Sequence, residues 1–402
     1  MLTGRMYFQD WAHFHPVYGG INDGGANTFG AEIQHDISHK FGSASGVLTV
    51  GASGMWDDYS SDKFQYGDFQ EVTAPFTSSE RKGPLMKHTD SKVNNYGIYI
   101  QEEYRPVTKV ILIGGVRYDK VHYDVKETNY TKWGFKGWPT LGMTYIDYTT
   151  PAEADKDFSH VSPRIGVTYL LTDSMSVYGS VSTGFRTPTR GELVTNLSLA
   201  PAETLNYEVG YKAYHSKGHS FNITLFQTEI DSEIIEVPNP DGSTDTYFDN
   251  AGESTHQGVE TSANVRLREG LFLALGYTYS DFVFDKYMTA SGDDYSGHRL
   301  QLVPVHQYDA SLKYRHPSGF SGKVGANVWG RYQVDDANSE TYGGYVKVNT
   351  RVAYAMDKMK IFLNVDNVLD RKYATEVKKS RGALAYSPAA PRTFMAGVSY
   401  DF

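Results

Sequence analysis

Apolar and polar residues alternate with a period of two along most of this chain, and the pattern is plainest at its end. In residues 392–402, Phe394, Ala396, Val398, Tyr400 and Phe402 share one face of an extended segment, while Thr393, Gly397, Ser399 and Asp401 share the other. An aromatic terminus would fray into water in a soluble core, but facing lipid it is stabilised. The alternation recurs upstream. In 175–186, Val177, Val181 and Phe185 oppose Tyr178, Ser180, Ser182 and Arg186; in 204–213, Leu205, Tyr207, Val209, Tyr211 and Ala213 oppose Thr204, Asn206, Glu208 and Lys212. Val259, Val265 and Leu267 likewise oppose Glu260, Ser262, Asn264 and Arg266.

The pattern predicts about sixteen strands. They fall at 4–11, 29–37, 46–56, 96–104, 110–118, 164–171, 175–186, 204–214, 221–237, 258–267, 271–284, 307–314, 322–333, 345–356, 361–369 and the closing stretch. Every second connection is short: 42–45, 106–109, 172–174, 215–218, 268–270, 316–319 and 357–358. The connections at the other end are long and polar. They include 18–27, 57–94 and 126–159, which read as surface loops, the last carrying Trp133, Phe135, Trp138, Tyr145 and Tyr148. A soluble sandwich or propeller has no reason to keep all its short turns on one side. The expected fold is therefore all-β: a transmembrane, antiparallel, up-and-down β-barrel with short periplasmic turns and long extracellular loops.

Composition agrees with one large β domain. The 402 residues include 31 Tyr, 20 Phe and 39 Gly, with no Cys, and nothing resembles a linker. A mean hydropathy of -0.46 excludes a bundle of membrane helices, and the net charge of -9, without basic clusters, argues against nucleic acid as a partner. The absence of Cys removes disulfides and thiolate metal sites. Residues 1–8 contain no apolar h-region, so no signal peptide is expected in this chain.

Several ordered motifs resemble the barrel of TonB-dependent outer-membrane receptors. They are Asn95 to Tyr104 followed by Gly114-Gly115-Val116-Arg117-Tyr118-Asp119, Ser162-Pro163-Arg164, Gly184-Phe185-Arg186-Thr187-Pro188-Thr189, and Leu199-Ala200-Pro201-Ala202-Glu203 before Asn206-Tyr207-Glu208. Asn250-Ala251-Gly252 precedes Gly258-Val259-Glu260, and Asn364-Val365-Asp366-Asn367-Val368-Leu369-Asp370 with Tyr373 precedes Pro391-Arg392 and the terminal Phe402. The resemblance implies the C-terminal portion, about 16 strands, of what would be a 22-stranded barrel in a Gram-negative outer membrane. The family's N-terminal plug domain, its TonB-contacting box and the first strands are not visible. It also implies lipid and the TonB energy-transducing complex as partners, the latter through the missing N-terminal part. Asn364, Asn367, Asp370, Tyr373, Tyr400 and Phe402 carry the family motif, and the closing strand would meet the barrel-assembly machinery. The expected ligand is a ferric siderophore; haem, cobalamin or another small cofactor, and a passive porin, are the alternatives. A closure evolved for more strands leaves two unpaired ladders, so by itself the chain is expected to be at most a leaky pore.

Candidate chemistry is sparse. Arg186 and Arg190 would grip an anionic ligand in the upper lumen, with Trp133, Phe135, Trp138 and Tyr145 packing on its apolar parts. The competing expectation is that Arg186 pairs with Glu192 or Glu203. His13 and His15, beside Trp11 and Phe14, share a face that could suit a metal chelate, but two histidines are a poor metal site and an interfacial aromatic cluster is the expectation. Asp281, Asp285, Asp293 and Asp294 lack calcium-loop spacing. No nucleophile elbow and no resident cofactor site is read, so neither an enzyme nor a metalloprotein is expected.

Overall fold

A computed structural model of the chain describes residues 1–17, 19–67, 81–136, 142–215, 218–237, 247–289, 292–380 and 383–401. In chain order the elements are β1 (Leu2–Val17), β2 (Gly20–Phe41), β3 (Ala44–Tyr66), β4 (Lys82–Val107), β5 (Val110–Lys136), β6 (Gly142–Thr172), β7 (Met175–Arg186) and helix α1 (Arg190–Thr195). There follow β8 (Ala202–His215), β9 (His219–Val237), β10 (Tyr247–Arg268), β11 (Leu271–Tyr287), β12 (His306–Arg315), β13 (Phe320–Gln333), β14 (Thr341–Met356) and β15 (Met359–Asp366). The chain ends with β16 (Ala374–Ser380), β17 (Ala383–Pro388) and β18 (Thr393–Tyr400). Sixteen strands form one antiparallel sheet in which sequence neighbours pair, β15 passing to β18 across the separate β16–β17 hairpin. Among the described residues β1 and β18 are the two ends of this sheet and do not pair with each other.

The strand count and the short turns agree with the alternation, and so do the faces. One row across the ladder reads Val265, Leu273, Leu312, Val324, Thr350, Val365, Phe394. The row on the opposite face, one residue along, reads Asn264, Ala274, Ser311, Gly325, Asn349. The apolar face stays exposed: Ile165, Val209 and Val398 keep more than 60% of their surface open, which water would penalise and lipid would not. Aromatics bound it. On β4, Tyr96 accepts a 2.9 Å hydrogen bond from Trp56 Nε1, and Trp56 stacks on Phe29; eight residues away Tyr104 stacks near His39, which pairs with Glu102. That spacing is about 20 Å along the normal for a strand tilted by about 40°, close to the apolar band of an outer-membrane barrel.

Three loop expectations need correction. Residues 20–27, 57–66, 82–94, 126–136 and 142–159 are strand, extending β2 to β6 well beyond the aromatic girdle. Above the girdle both faces meet water, so a stretch such as Asp57-Asp58-Tyr59-Ser60-Ser61-Asp62 has no apolar side to betray it. Ladder hydrogen bonds to β2 and β4 hold it extended instead. Helix α1 and the β16–β17 hairpin are two further elements that the alternation did not show.

Candidate functional site

β7 and β8 stop at Arg186 and Ala202, lower than their neighbours, and residues 187–201 fold over the inner wall beside them. Thr189 caps α1: its hydroxyl accepts from the Glu192 amide at 3.3 Å, while the Glu192 carboxylate accepts from the Thr189 amide at 2.7 Å. Leu193 is completely buried against Val121, Tyr123 and Val125 of β5, Ala154 and Phe158 of β6, Leu199 and Ile234. Burying one leucine stabilises the docked loop by about 1.5–3 kcal/mol. Asn250 on β10 ties down the far end, donating to the Ala200 carbonyl at 3.0 Å and accepting from its amide at 2.8 Å. Two of the resembling motifs, around Ala200 and around Asn250, thus meet each other.

Both candidate arginines are held in this loop by carboxylates. Arg186 makes a two-point ion pair with Glu192 at 2.9 and 3.2 Å and donates to the Ile234 carbonyl at 3.4 Å, which is the competing expectation for it. Burial alone would raise the Glu192 carboxyl, but the hydrogen bonds from Arg186 and Thr189 outweigh it and hold it below the usual carboxylate range. Arg190 lies 3.8 Å from the Tyr59 ring centroid and 3.4 Å from Asp57 on β3. Neither β3 partner was legible as a site residue, because both lie in a stretch without apolar periodicity.

The aromatic candidates stand on the tall β5–β6 hairpin: Trp133 pairs along the backbone with Tyr145, and Phe135 with Met143. The Tyr145 hydroxyl accepts from the Tyr66 amide at 2.9 Å, so it reaches the tip of β3. Trp138 lies outside the described residues. Lower in the lumen the wall is polar. One cleft of about 510 Å³ is lined by Asn264, Asp309, Lys323, Arg351, Asn364 and Asp366, and another of about 450 Å³ by Glu32, Tyr99, Arg117, Arg164 and Ser182. Among the described residues, no group of three or more His, Asp or Glu side chains is gathered so as to hold a metal ion.

A sheet with lipid-compatible rows outside and polar clefts inside is what the comparisons with known proteins return. The profile described as TonB dependent receptor-like, beta-barrel, matches residues 3–368. This chain belongs to that family. Membership places it in the bacterial outer membrane, among transport receptors. The chain is 25% identical over 347 residues to the iron-regulated outer membrane virulence protein of Vibrio cholerae, a match covering 76% of this chain and 52% of that protein. It is 27% identical over 299 residues to the ferrioxamine B receptor of Salmonella typhimurium, covering 70% and 40%. It therefore spans about half the length of the curated relatives it matches, or less. The crystal structure of the ferric yersiniabactin uptake receptor FyuA from Yersinia pestis shares the fold, with a TM-score of 0.72 at 16% identity, over 100% of this chain and 58% of that one.

In this receptor barrel the Asn364 to Asp370 motif builds the turn that leaves β15. Asn367 is 1% exposed with a φ of 50°, a left-handed conformation that Asn tolerates. Its Nδ2 donates to the carbonyls of Arg371 and Ala390 at 3.0 and 3.3 Å, its Oδ1 accepts from the Arg371 amide, and its own amide donates to Asn349 Oδ1. Asp370 accepts from the Arg392 amide at 2.9 Å, bringing the chain back for β18. Tyr373 stacks on Tyr345 at 4.5 Å. Asn364 faces the larger cleft with its Oδ1 buried and unpartnered, Tyr400 faces outward opposite Met359, and Phe402 lies outside the described residues.

Proposed function

We propose that the chain is barrel wall of a receptor that takes up a ferric siderophore across the outer membrane, energised through TonB. The observation that carries this reading is the family match over residues 3–368, with ferrioxamine B, ferrioxamine and ferric-pyoverdine receptors among the relatives. The polar inner wall supports it, because a hydrated chelate needs such a surface to pass. Arg186 and Arg190, with Trp133, Phe135, Trp138 and Tyr145, are the proposed ligand contacts; each arginine would exchange its carboxylate for an anionic group of the chelate. The iron chelate is cargo, and the reading includes no resident cofactor. The closing strand would engage the barrel-assembly machinery during insertion.

The test is uptake of radioactive iron by the host with and without the encoding gene, across hydroxamate, catecholate and citrate chelates. Loss of uptake for one chelate class, abolished in the parent by a protonophore, is expected. Unchanged uptake of every iron chelate, with a defect for haem or cobalamin instead, would overturn the siderophore reading. Protonophore-insensitive leakage of small solutes would favour a porin.

A further inference from the structure

Trp11, His13 and His15 stand in line on β1 and have no part in the reading above. They alternate with Phe8 and Phe14 of the lipid side and share parity with Tyr7, whose ring covers Gly30 on the polar wall. The ladder thus faces the lumen, in the half of β1 above the girdle residue Phe29, and not the lipid interface. Trp11 and His13 stack with centroids 5.3 Å apart and planes 10° from parallel; His13 and His15 are also 5.3 Å apart, edge to face. Across the ladder they meet Ala26, Gly24 and Asn22, and beyond these Tyr59, Ser61 and Lys63. The Ser61 side chain covers Gly24, opposite His13, and His15 is exposed.

Two imidazoles bound to one ion at about 2.0–2.1 Å place their ring centres roughly 4.5–6 Å apart, so this pair can close on a metal by side-chain rotation alone. The facing residues themselves carry no carboxylate; the charged groups beside them are Lys63 and, over Tyr59, the Arg190–Asp57 pair, whose carboxylate is already engaged. That donor set disfavours calcium and magnesium, which demand oxygen, and favours late divalent metals, copper(II) most. Two nitrogens leave coordination positions open, to be filled by water or by a chelator carried with the ion.

We propose that His13 and His15 form a lumenal two-point anchor for a divalent late transition metal bound as a mixed-ligand complex. The anchor goes beyond the iron-siderophore reading, because bare metal ions suffice to test it.

The experiment titrates copper(II), then nickel(II) and zinc(II), into the whole 402-residue chain in detergent micelles. Fluorescence and copper electron paramagnetic resonance are read, and circular dichroism verifies strand content for every variant. Saturable copper binding with nitrogen hyperfine structure is expected. His13→Ala and His15→Ala should each weaken it by roughly tenfold or more, the affinity following the order of late divalent metals. Trp11→Phe should remove much of the quenching and leave the resonance signal. The control is His316→Ala in the turn after β12, where the ring bonds the Ser318 hydroxyl, which should change nothing. Unchanged affinity in a folded His13→Gln, His15→Gln double variant would overturn the proposal. So would loss of binding in the control, or no binding by the folded wild-type chain.

Discussion

The Arg186 guanidinium and the Glu192 carboxylate meet atom for atom, Nη1 donating to Oε2 at 2.9 Å and Nη2 to Oε1 at 3.2 Å. The pair joins the last residue of β7 to the capping box of α1, so the more exposed of the two candidate arginines is also a fastener of the lumenal loop. Any ligand that takes Arg186 must compete with this carboxylate.

Arg186→Ala should loosen residues 187–201 by about 1 kcal/mol, a small value because the arginine is nearly half exposed and solvent screens the pair. Hydrogen exchange of the loop is the measurement, and unchanged protection would show that Leu193 alone holds it. The Glu192 carboxyl is depressed in the folded chain, so its contribution is complete above the unfolded value near 4.5. It is lost as pH falls through the lower folded value.

Acid should act in the opposite sense at Asp336, between β13 and β14. Burial pushes this carboxyl up to about 6, helped by the like charges of Asp335 and Glu233 and opposed by hydrogen bonds from Gln301. A raised carboxyl binds a proton more readily folded than unfolded, so stability falls as pH rises from about 4 through about 6. The loop after β11 is tied to the same segment through His298 and the Asp336 carbonyl at 2.9 Å, and through Arg299 and Asn338. Residues 292–305 and 334–340 should therefore show higher protection factors, exchange corrected for its intrinsic pH dependence, at pH 5 than at pH 7.5. Asp336→Asn should abolish most of the difference in protection; if it persists undiminished, another group governs it.

Asn367→Ala should destabilise the barrel by about 3 kcal/mol, combining the left-handed backbone penalty with loss of buried hydrogen bonds. Asn367→Gly removes the bonds but relieves the backbone, and should cost about 1 kcal/mol less. Thermal unfolding in micelles, followed by heat-dependent gel mobility, ranks the two. Equal losses would mean that the positive φ contributes nothing.

Val209→Arg places a charge on the exposed apolar face and should cost about 2–4 kcal/mol, whereas Ser182→Arg on the lumen side should cost far less. Equal effects on refolding into lipid vesicles would mean that inside and outside are reversed.

Sequence alone determined the parts governed by lipid. A strand between lipid and water must alternate, so Val209 against Glu208 and Phe394 against Thr393 declared their faces, the sixteen strands and the side of the short turns. The signal of α1 was also present, as Thr189 three residues before Glu192, but one capping box does not say where a helix docks. Only the tertiary structure decided what lies above the girdle and inside the wall. Asp57 and Tyr59 sit in a strand stretch whose sequence shows no apolar periodicity, yet they receive Arg190, which lies 133 positions from Asp57 in the chain. The valines of β5 that bury Leu193 face the lumen, where the alternation predicts polar residues; they are apolar because a loop, and not water, covers them. Local pattern reports the solvent on each side of a strand, and only the folded chain shows where other protein has displaced that solvent.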